Sequence, residues 1–175
     1  MRWHVRIVLG LLTCSVGLPA LDGREPPAKA KVELRWLETQ KVEGLTEETG
    51  FQSSCDPKDI VYPHKKPALV LTAAEVAEVR LTNLDLSKNG LSKENYTVTI
   101  TLTKEARAKL AATTDGKEMK LLTVAVDGRY WGTRRYEKDK DKPGVPEVAR
   151  ADTFTPSVGF ISSKAEAQRI VDALK

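Results

Sequence analysis

Cysteine, histidine and aromatic residues are scarce in this chain of 175 residues. It contains two cysteines, Cys14 and Cys55, two histidines, and 6% aromatic residues. Two cysteines cannot form the disulfide framework of a small secreted scaffold. A metal site needs several His, Cys or carboxylate ligands at short spacing, and the sequence offers no such cluster. We therefore predict that the protein holds no metal and no other cofactor.

The excess of positive charge is small. The formal net charge is +4, but Arg2 and Arg6 lie in an N-terminal leader, so the remaining chain holds 26 Lys and Arg against 24 Asp and Glu. Positive and negative residues are therefore nearly equal in number and are mixed along the chain, which argues against nucleic-acid binding. The sequence also lacks a glycine-rich phosphate loop and the common hydrolase motifs. These absences favour a protein that is not an enzyme.

Residues 1–20 have the order of a secretory signal. Arg2 and Arg6 provide a positive start, residues 7–16 form a short apolar run, and small residues such as Ala20 follow as candidate cleavage positions. The apolar run is shorter than a typical membrane span. We predict export, with the protein located in the periplasm or at the cell envelope.

Two alternatives would tether the protein to a membrane. In the first, the leader is retained as an anchor. In the second, Cys14 is lipidated, because residues 11–14 (Leu-Leu-Thr-Cys) resemble a lipobox. Removal of the leader would leave Cys55 without an internal disulfide partner.

Composition divides the rest of the chain into three parts. Residues 21–31 contain adjacent prolines and no apolar periodicity, which predicts a linker. In residues 32–67 a single strand is predicted at the start, where Val32, Leu34 and Trp36 alternate with charged residues. The remainder of that segment is interrupted by glycine and proline and is expected to be irregular. Residues 68–175 are predicted to form the main domain.

The first part of this domain combines short apolar segments with a capping pattern. Residues 68–71 and 79–82 favour strands. Thr72, followed three residues later by Glu75, is typical of a capping box and predicts a short helix between them.

The clearest strand pattern lies at residues 96–103, where four apolar residues alternate with four threonines. Thr103 is suited to cap a helix over residues 104–115. Asp127-Gly128 favours a two-residue hairpin turn between strands at 121–126 and 129–136.

The end of the chain predicts short strands within residues 148–154 and 158–161 and a final amphipathic helix. Ser163 and Glu166 form a second capping box ahead of an apolar stripe at helical spacing. The whole pattern predicts an α+β fold, a mostly antiparallel sheet with two to three helices packed on one face.

Three segments of residues 68–175 resemble the head subdomain of the first periplasmic domain of SecD and SecDF, membrane proteins that assist protein translocation. They are a strand–Thr–helix segment at 98–106, a valine-rich strand with an Asp-Gly turn at 124–129, and a closing strand and helix from Gly159 to Leu174. The resemblance implies this fold and polypeptide binding without catalytic residues. It does not imply the proton-driven role of the family, which depends on transmembrane helices that have no counterpart in this sequence.

The return strand of the hairpin supplies the candidate binding residues. Aromatic and Arg side chains are frequent anchors of protein interfaces, and this strand holds Tyr130, Trp131, Arg134, Arg135 and Tyr136. Alternation along the strand predicts that one face holds Tyr130, Gly132, Arg134 and Tyr136. The other face would hold Arg129, Trp131, Thr133 and Arg135. The predicted partner is a polypeptide or an envelope protein. The competing interpretation is that these aromatics are ordinary core residues.

Two further hypotheses remain open. Cys55 and His64 could form a nucleophile and base, with Asp56 or Asp59 orienting the imidazole, which would make the protein a cysteine-dependent enzyme. Alternatively, the chain is a structural domain without a ligand.

Overall fold

The computed structural model describes residues 29–54, 56, 58–89, 92–114, 119–137, 149–150 and 154–175. The predicted leader, Cys55 and the charged segment 138–148 lie outside the described residues. The strands are β1 (Val32–Glu38), β2 (Phe51–Gln52), β3 (Ile60–Pro63), β4 (Leu69–Leu71), β5 (Val76–Asn83), β6 (Tyr96–Leu102), β7 (Met119–Val126), β8 (Arg129–Glu137), β9 (Ala149–Arg150) and β10 (Ser157–Ile161). The α-helices are α1 (Lys104–Ala112) and α2 (Lys164–Ala173), and Ser87–Asn89 forms one 3₁₀ turn.

The strands form two sheets. The large sheet has the order β2-β3-β1-β7-β8-β9, with β4 also pairing with β1, and the small sheet has the order β10-β6-β5. All pairs are antiparallel except the short β8–β9 pair. The predicted α+β class is confirmed, with the strands divided between two sheets.

The alternating pattern of β6 determines its two faces as predicted. Its apolar side chains are buried, with Ile100 and Val98 fully so, and its threonines are half-buried. Because β6 is the central strand of the small sheet, this face contributes to the shared core of the two sheets and both helices.

Both predicted helix caps are present. The Thr103 hydroxyl accepts a hydrogen bond from the Ala106 amide at 3.1 Å, and Ser163 accepts one from Glu166 at 3.3 Å. The buried residues Ala106 and Leu110 of α1 and the apolar stripe of α2 then face the core.

The predicted helix between β4 and β5 is wrong. Glu75 does accept hydrogen bonds from the amide and hydroxyl of Thr72, at 3.2 and 2.5 Å, but these bonds close a turn. β5 begins at Val76 and pairs with β6, so no room is left for a helix. Strand pairing has overridden the local capping signal.

The expectation of a single strand in residues 32–67 is also wrong. Beside β1, the structure contains β2 and β3, and Thr46 forms a bridge with His64. The physical reason is the edge of β1, whose last residues pair with Tyr62 and Pro63 of β3. We call the described residues of 40–66 the cover, because Phe51 and Ser54 reach from the edge strands over Tyr130 and Thr133, on the face of the large sheet opposite to the helices.

The hairpin between β7 and β8 turns at Asp127-Gly128 as predicted, with φ of 49° and 79°. Asp127 also fastens two distant segments. Its carboxylate accepts hydrogen bonds from the Lys31 amide at 2.8 Å and from Arg169 of α2 at 2.6 Å. Ala30, within the predicted linker, is buried against the core.

Candidate functional site

A bulge in β8 decides where the candidate residues point. Thr123 of β7 pairs with Thr133, whereas its neighbour Val124 pairs with Trp131. Gly132 is therefore the extra residue, and its φ of 56° is one that glycine adopts easily.

The bulge shifts the alternation by one residue, so the predicted division of β8 into faces is wrong. The side chains that the register directs toward the helices are Arg129, Trp131, Arg134 and Tyr136. Those directed toward the cover are Tyr130, Thr133 and Arg135. A glycine inside a strand pattern is the sequence signal of such a bulge.

The structure places Tyr136 in the core, where it is 1% exposed. Its ring meets Trp36 and Phe154 edge-on, with centroids 5.2 and 5.5 Å away. Burial raises the pKa of Tyr136, and the nearby guanidinium of Arg107 opposes that rise. In this arrangement Tyr136 supports the strand and does not contact solvent.

Trp131 is partly buried and carries a stacked cation. It packs against the core, while the Arg129 guanidinium lies 4.5 Å from its ring centroid. Its buried indole N–H finds no acceptor among the described residues. Arg134 and Arg135 are exposed. Because they are consecutive, they project from opposite faces of the strand.

Tyr130 lies under the cover. Its ring stacks on Phe51 of β2 at 5.0 Å with an angle of 6° between the planes. Burial raises the pKa of Tyr130, and Arg35 opposes the rise. Tyr130 therefore holds the cover to β8 and is only half-accessible to a partner.

Hydroxyl groups fix the cover beside the bulge. The Ser54 Oγ lies 2.8 Å from the Thr133 Oγ1 and accepts a hydrogen bond from the Thr133 amide at 2.6 Å. The Ser54 amide donates to Thr133 Oγ1 at 2.8 Å, and the Ser53 hydroxyl lies 3.0 Å from it. Thr133 is fully buried, so this contact is shielded from water.

Arg35 joins the cover to β1. It donates two hydrogen bonds to Glu33, at 3.0 and 2.8 Å, one to Glu47, and two to the carbonyls of His64 and Lys65. Burial raises the pKa of Glu33, but hydrogen bonds from Lys31 and Arg35 outweigh it, and the net pKa is lowered.

In the enzyme hypothesis His64 is the base, and Asp56 or Asp59 is the group expected to orient its imidazole. The structure places a different carboxylate beside it. The His64 Nε2 lies 3.0 Å from Glu38, whose carboxylate also lies 3.6 Å from Lys120. Asp56 instead accepts a hydrogen bond from the Lys58 amide. His64 is 8% exposed, and Cys55 lies outside the described residues.

Two absences concern the described part of the chain. No group of three His, Cys, Asp or Glu side chains is arranged to hold a metal ion there. Among the same residues, no helix combines the length and apolarity that crossing a membrane would require.

Phe160 of β10 is a surface feature that the sequence analysis missed. It is 71% exposed and has a φ of 58°, a conformation that bulky residues rarely adopt. It sits where the register of β10 against β6 shifts between Val158 and Ile161. Periodicity gives no warning of this position, because the pattern of β10 reads as an ordinary strand.

The chain is similar to solved structures of SecDF. No family model matches the chain, and no curated protein matches it. Two solved structures do. "Crystal structure of SecDF in Super-membrane-facing form" is 20% identical over 83% of this chain, with a TM-score of 0.43. "Structure and function of a membrane component SecDF that enhances protein export" is 21% identical over 83% of this chain, with a TM-score of 0.44.

This chain spans 18% of the length of the first of these proteins and 61% of the second. Both structures are of SecDF, a protein that the sequence analysis names as a resemblance, and at this identity the likeness concerns the fold alone.

Proposed function

We propose that the protein is an exported, non-enzymatic domain that binds a polypeptide or a protein partner at the cell envelope. The partner would contact a surface made of Trp131, Arg134 and Phe160, which we call the β8–β10 surface; Arg135 lies on the opposite face of β8. The three sequence motifs that resemble the SecD head support the envelope setting.

The exposed Phe160 carries the proposal. An aromatic ring that is 71% exposed on a strained backbone costs stability, and such strain is typical of functional positions. β10 contacts β8 although the two strands belong to different sheets, so Phe160 and Arg134 lie on elements that touch. Aromatic rings and arginines together are the side chains that most often anchor protein interfaces.

The proposal is tested with a permanently unfolded polypeptide, reduced and alkylated, whose binding is followed by fluorescence anisotropy. Phe160→Ser combined with Arg134→Gln is expected to weaken binding about tenfold or more, the loss of roughly one interface anchor. Lys164→Gln removes an exposed charge at the start of α2 and serves as the matched control. Unchanged binding by the double variant, with circular dichroism also unchanged, would reject the β8–β10 surface.

Export is tested by fractionating cells that carry the full chain. The protein is expected outside the cytoplasm, lighter by about two kilodaltons if a leader of ~20 residues is cleaved. Full-length soluble protein in the cytoplasm would contradict the proposal.

The enzyme alternative rests on the hydrogen bond between His64 and Glu38, because a catalytic imidazole needs such an orienting group. Cys55→Ser separates the two functions. A cysteine-dependent enzyme would lose all activity with this change, whereas a binding domain would keep its partner.

A further inference from the structure

β8 is an edge strand of the large sheet along most of its length. It pairs with β7 from Arg129 to Glu137, whereas β9 pairs with it at Tyr136 and Glu137. Between Arg129 and Arg135, no strand pairs with the other side of β8 among the residues that the structure describes. Every second residue of such an edge directs its N–H and C=O away from the sheet, and these groups are the template on which another strand can add.

A side chain closes this edge at Thr133. The Ser54 Oγ accepts a hydrogen bond from the Thr133 amide at 2.6 Å and donates one to the Thr133 carbonyl at 3.1 Å. In an antiparallel ladder, the C=O and N–H of one opposite residue make the same two bonds. A single hydroxyl of the cover therefore stands where the backbone of a neighbouring strand would lie, which identifies an extended polypeptide as the group that fits this edge.

Two arginines next to Thr133 indicate the charge that such a polypeptide would carry. Arg134 and Arg135 are exposed, and neither forms an ion pair with a carboxylate of the described residues. The Arg134 guanidinium donates to the Thr133 carbonyl at 3.3 Å, so it lies at the edge itself. Because the two side chains project from opposite faces of β8, an acidic residue of an added strand would meet a guanidinium on either face.

We propose that the edge of β8 between Arg129 and Arg135 is a strand-addition site for an extended, acidic polypeptide segment, and that Ser54 closes this site until the segment displaces it. Main-chain hydrogen bonds would supply affinity, and the two arginines would select acidic residues. The inference rests on the proposed function in taking the partner to be a polypeptide. It goes further because it assigns contacts to the backbone of β8 and to Arg135, which lies outside the β8–β10 surface.

Displacing Ser54 leaves the sheet itself intact. Ser54 is an exposed residue of the cover, and its contact with Thr133 takes no part in the pairing of β8 with β7. Phe51, which stacks on Tyr130, holds the same part of the cover through its side chain. An added strand would replace the hydrogen bonds of one hydroxyl and would also pair with the outward backbone groups on either side of Thr133. The exchange therefore gains hydrogen bonds.

Charge favours such a segment over a second copy of the chain. Two β8 edges paired with each other would bring together Arg129, Arg134 and Arg135 of both strands. Glu137, the acidic residue of β8, lies at the end where β9 already pairs. Like charges on adjacent strands are destabilising, so an acidic segment of another polypeptide fits this edge better than the edge fits itself.

The test uses the full chain and a labelled ten-residue synthetic peptide, in which valine and serine alternate around two adjacent central glutamates. Binding is followed by fluorescence anisotropy, and circular dichroism verifies the fold of each variant. Ser54→Ala uncovers the backbone of Thr133 and should tighten binding about tenfold, the worth of roughly one hydrogen bond. Ser53→Ala is the matched control, because the Ser53 hydroxyl meets the side chain of Thr133, at 3.0 Å, and its loss should leave binding close to that of the wild type.

Two N-methylated versions of the peptide block alternate sets of its backbone amides. An added strand uses only one of these sets, so one version should lose binding and the other should keep it. Arg135→Gln should weaken binding of the glutamate peptide several-fold, because it removes a charge-assisted contact. The same change should have little effect on a peptide with glutamines in place of the glutamates.

Equal binding of both N-methylated peptides, or equal binding to the wild type and to Ser54→Ala, would overturn strand addition at β8. So would a dimer of Ser54→Ala in sedimentation that the peptide fails to dissociate, because a second copy would then occupy the edge. The proposed function would survive these outcomes if the unfolded polypeptide still loses affinity when Phe160→Ser is combined with Arg134→Gln. The reverse result, in which only the peptide responds as expected, would reject the β8–β10 surface and support the β8 edge.

Discussion

The two faces of the large sheet are both buried, but by different kinds of side chain. Toward the helices, Leu34, Trp36 and Val124 join an apolar core. Toward the cover, the same strands present Glu33 and Arg35, held by ion pairs and by hydroxyl contacts at the bulge of β8. Apolar packing is tolerant of direction, whereas hydrogen bonds and ion pairs need particular partners at particular places. Beside the backbone pairing of β3 with β1, the cover is thus held by a few side-chain contacts that single substitutions can remove.

The largest effect is expected on the apolar face. Leu34→Ala removes a fully buried side chain and should lower the free energy of unfolding by about 2–5 kcal/mol through the cavity that it leaves. Urea unfolding measures this change. Leu45→Ala deletes the same atoms at a position that is 41% exposed and should cost about 1 kcal/mol or less. Similar losses at the two positions would show that the core is misassigned.

On the polar face, Thr133→Val keeps the shape of the side chain but removes its hydroxyl. The Ser54 amide would lose its acceptor, and the free energy of unfolding should fall by about 1–3 kcal/mol. Thr133→Ser retains the hydroxyl and is the control. Hydrogen exchange at Ser54 should rise in the valine variant before exchange in β7 does, since the cover opens while the sheet persists. Simultaneous exposure of both would contradict a separately attached cover.

A smaller effect is expected where the cover meets β8 through aromatic rings. Phe51→Leu retains apolar area but loses the stacking on Tyr130, which is worth about 0.5–1.5 kcal/mol. Tyr130→Phe keeps the stack and should change the unfolding free energy less. If Tyr130→Phe proves the more damaging of the two, the phenol oxygen and not the ring is holding the cover.

The smallest effect concerns pH. The pKa of Glu33 is lowered in the folded chain below its ordinary value of 4.5, so the folded state binds fewer protons than the unfolded state. The stability from Glu33 is therefore present above about pH 4.5 and is lost as the pH falls through the folded pKa. Solvent screens the contribution of Lys31, which is 65% exposed. The free energy of unfolding, measured with urea between pH 7 and pH 3, should fall more steeply for the wild type than for Glu33→Gln. Parallel pH profiles of the two proteins would contradict the ion pair.

The same contrast explains which elements the sequence could predict. β6, the caps at Thr103 and Ser163, and the Asp127-Gly128 turn depend on neighbours within a few residues, and all four are confirmed. β2 and β3 are only two and four residues long, and contacts with distant residues hold them, such as Ser54 with Thr133. Thr72 and Glu75 show the opposite case, in which a sound local signal was overruled by strand pairing.

For the candidate site, composition identified the right strand but not the orientation of its side chains. The bulge at Gly132 reversed the alternation, buried Tyr136 and left Arg134 and Arg135 on the surface. Phe160 lies where the register of β10 against β6 shifts, and such a shift depends on how two strands meet. No window of the sequence contains that information.

The contacts of Asp127 also bear on how the domain would respond to a pulling force. Lys31, just before β1, exchanges hydrogen bonds with Asp127, and β1 then runs antiparallel to β7 from Val32 to Leu37. A load applied through the residues that precede Lys31 would act along β1 and shear all of these hydrogen bonds together, because they lie across the strand. Shearing resists force better than peeling, in which bonds break one at a time. Arg169 also ties the turn at Asp127 to α2. The start of the domain at Lys31 would therefore be mechanically reinforced.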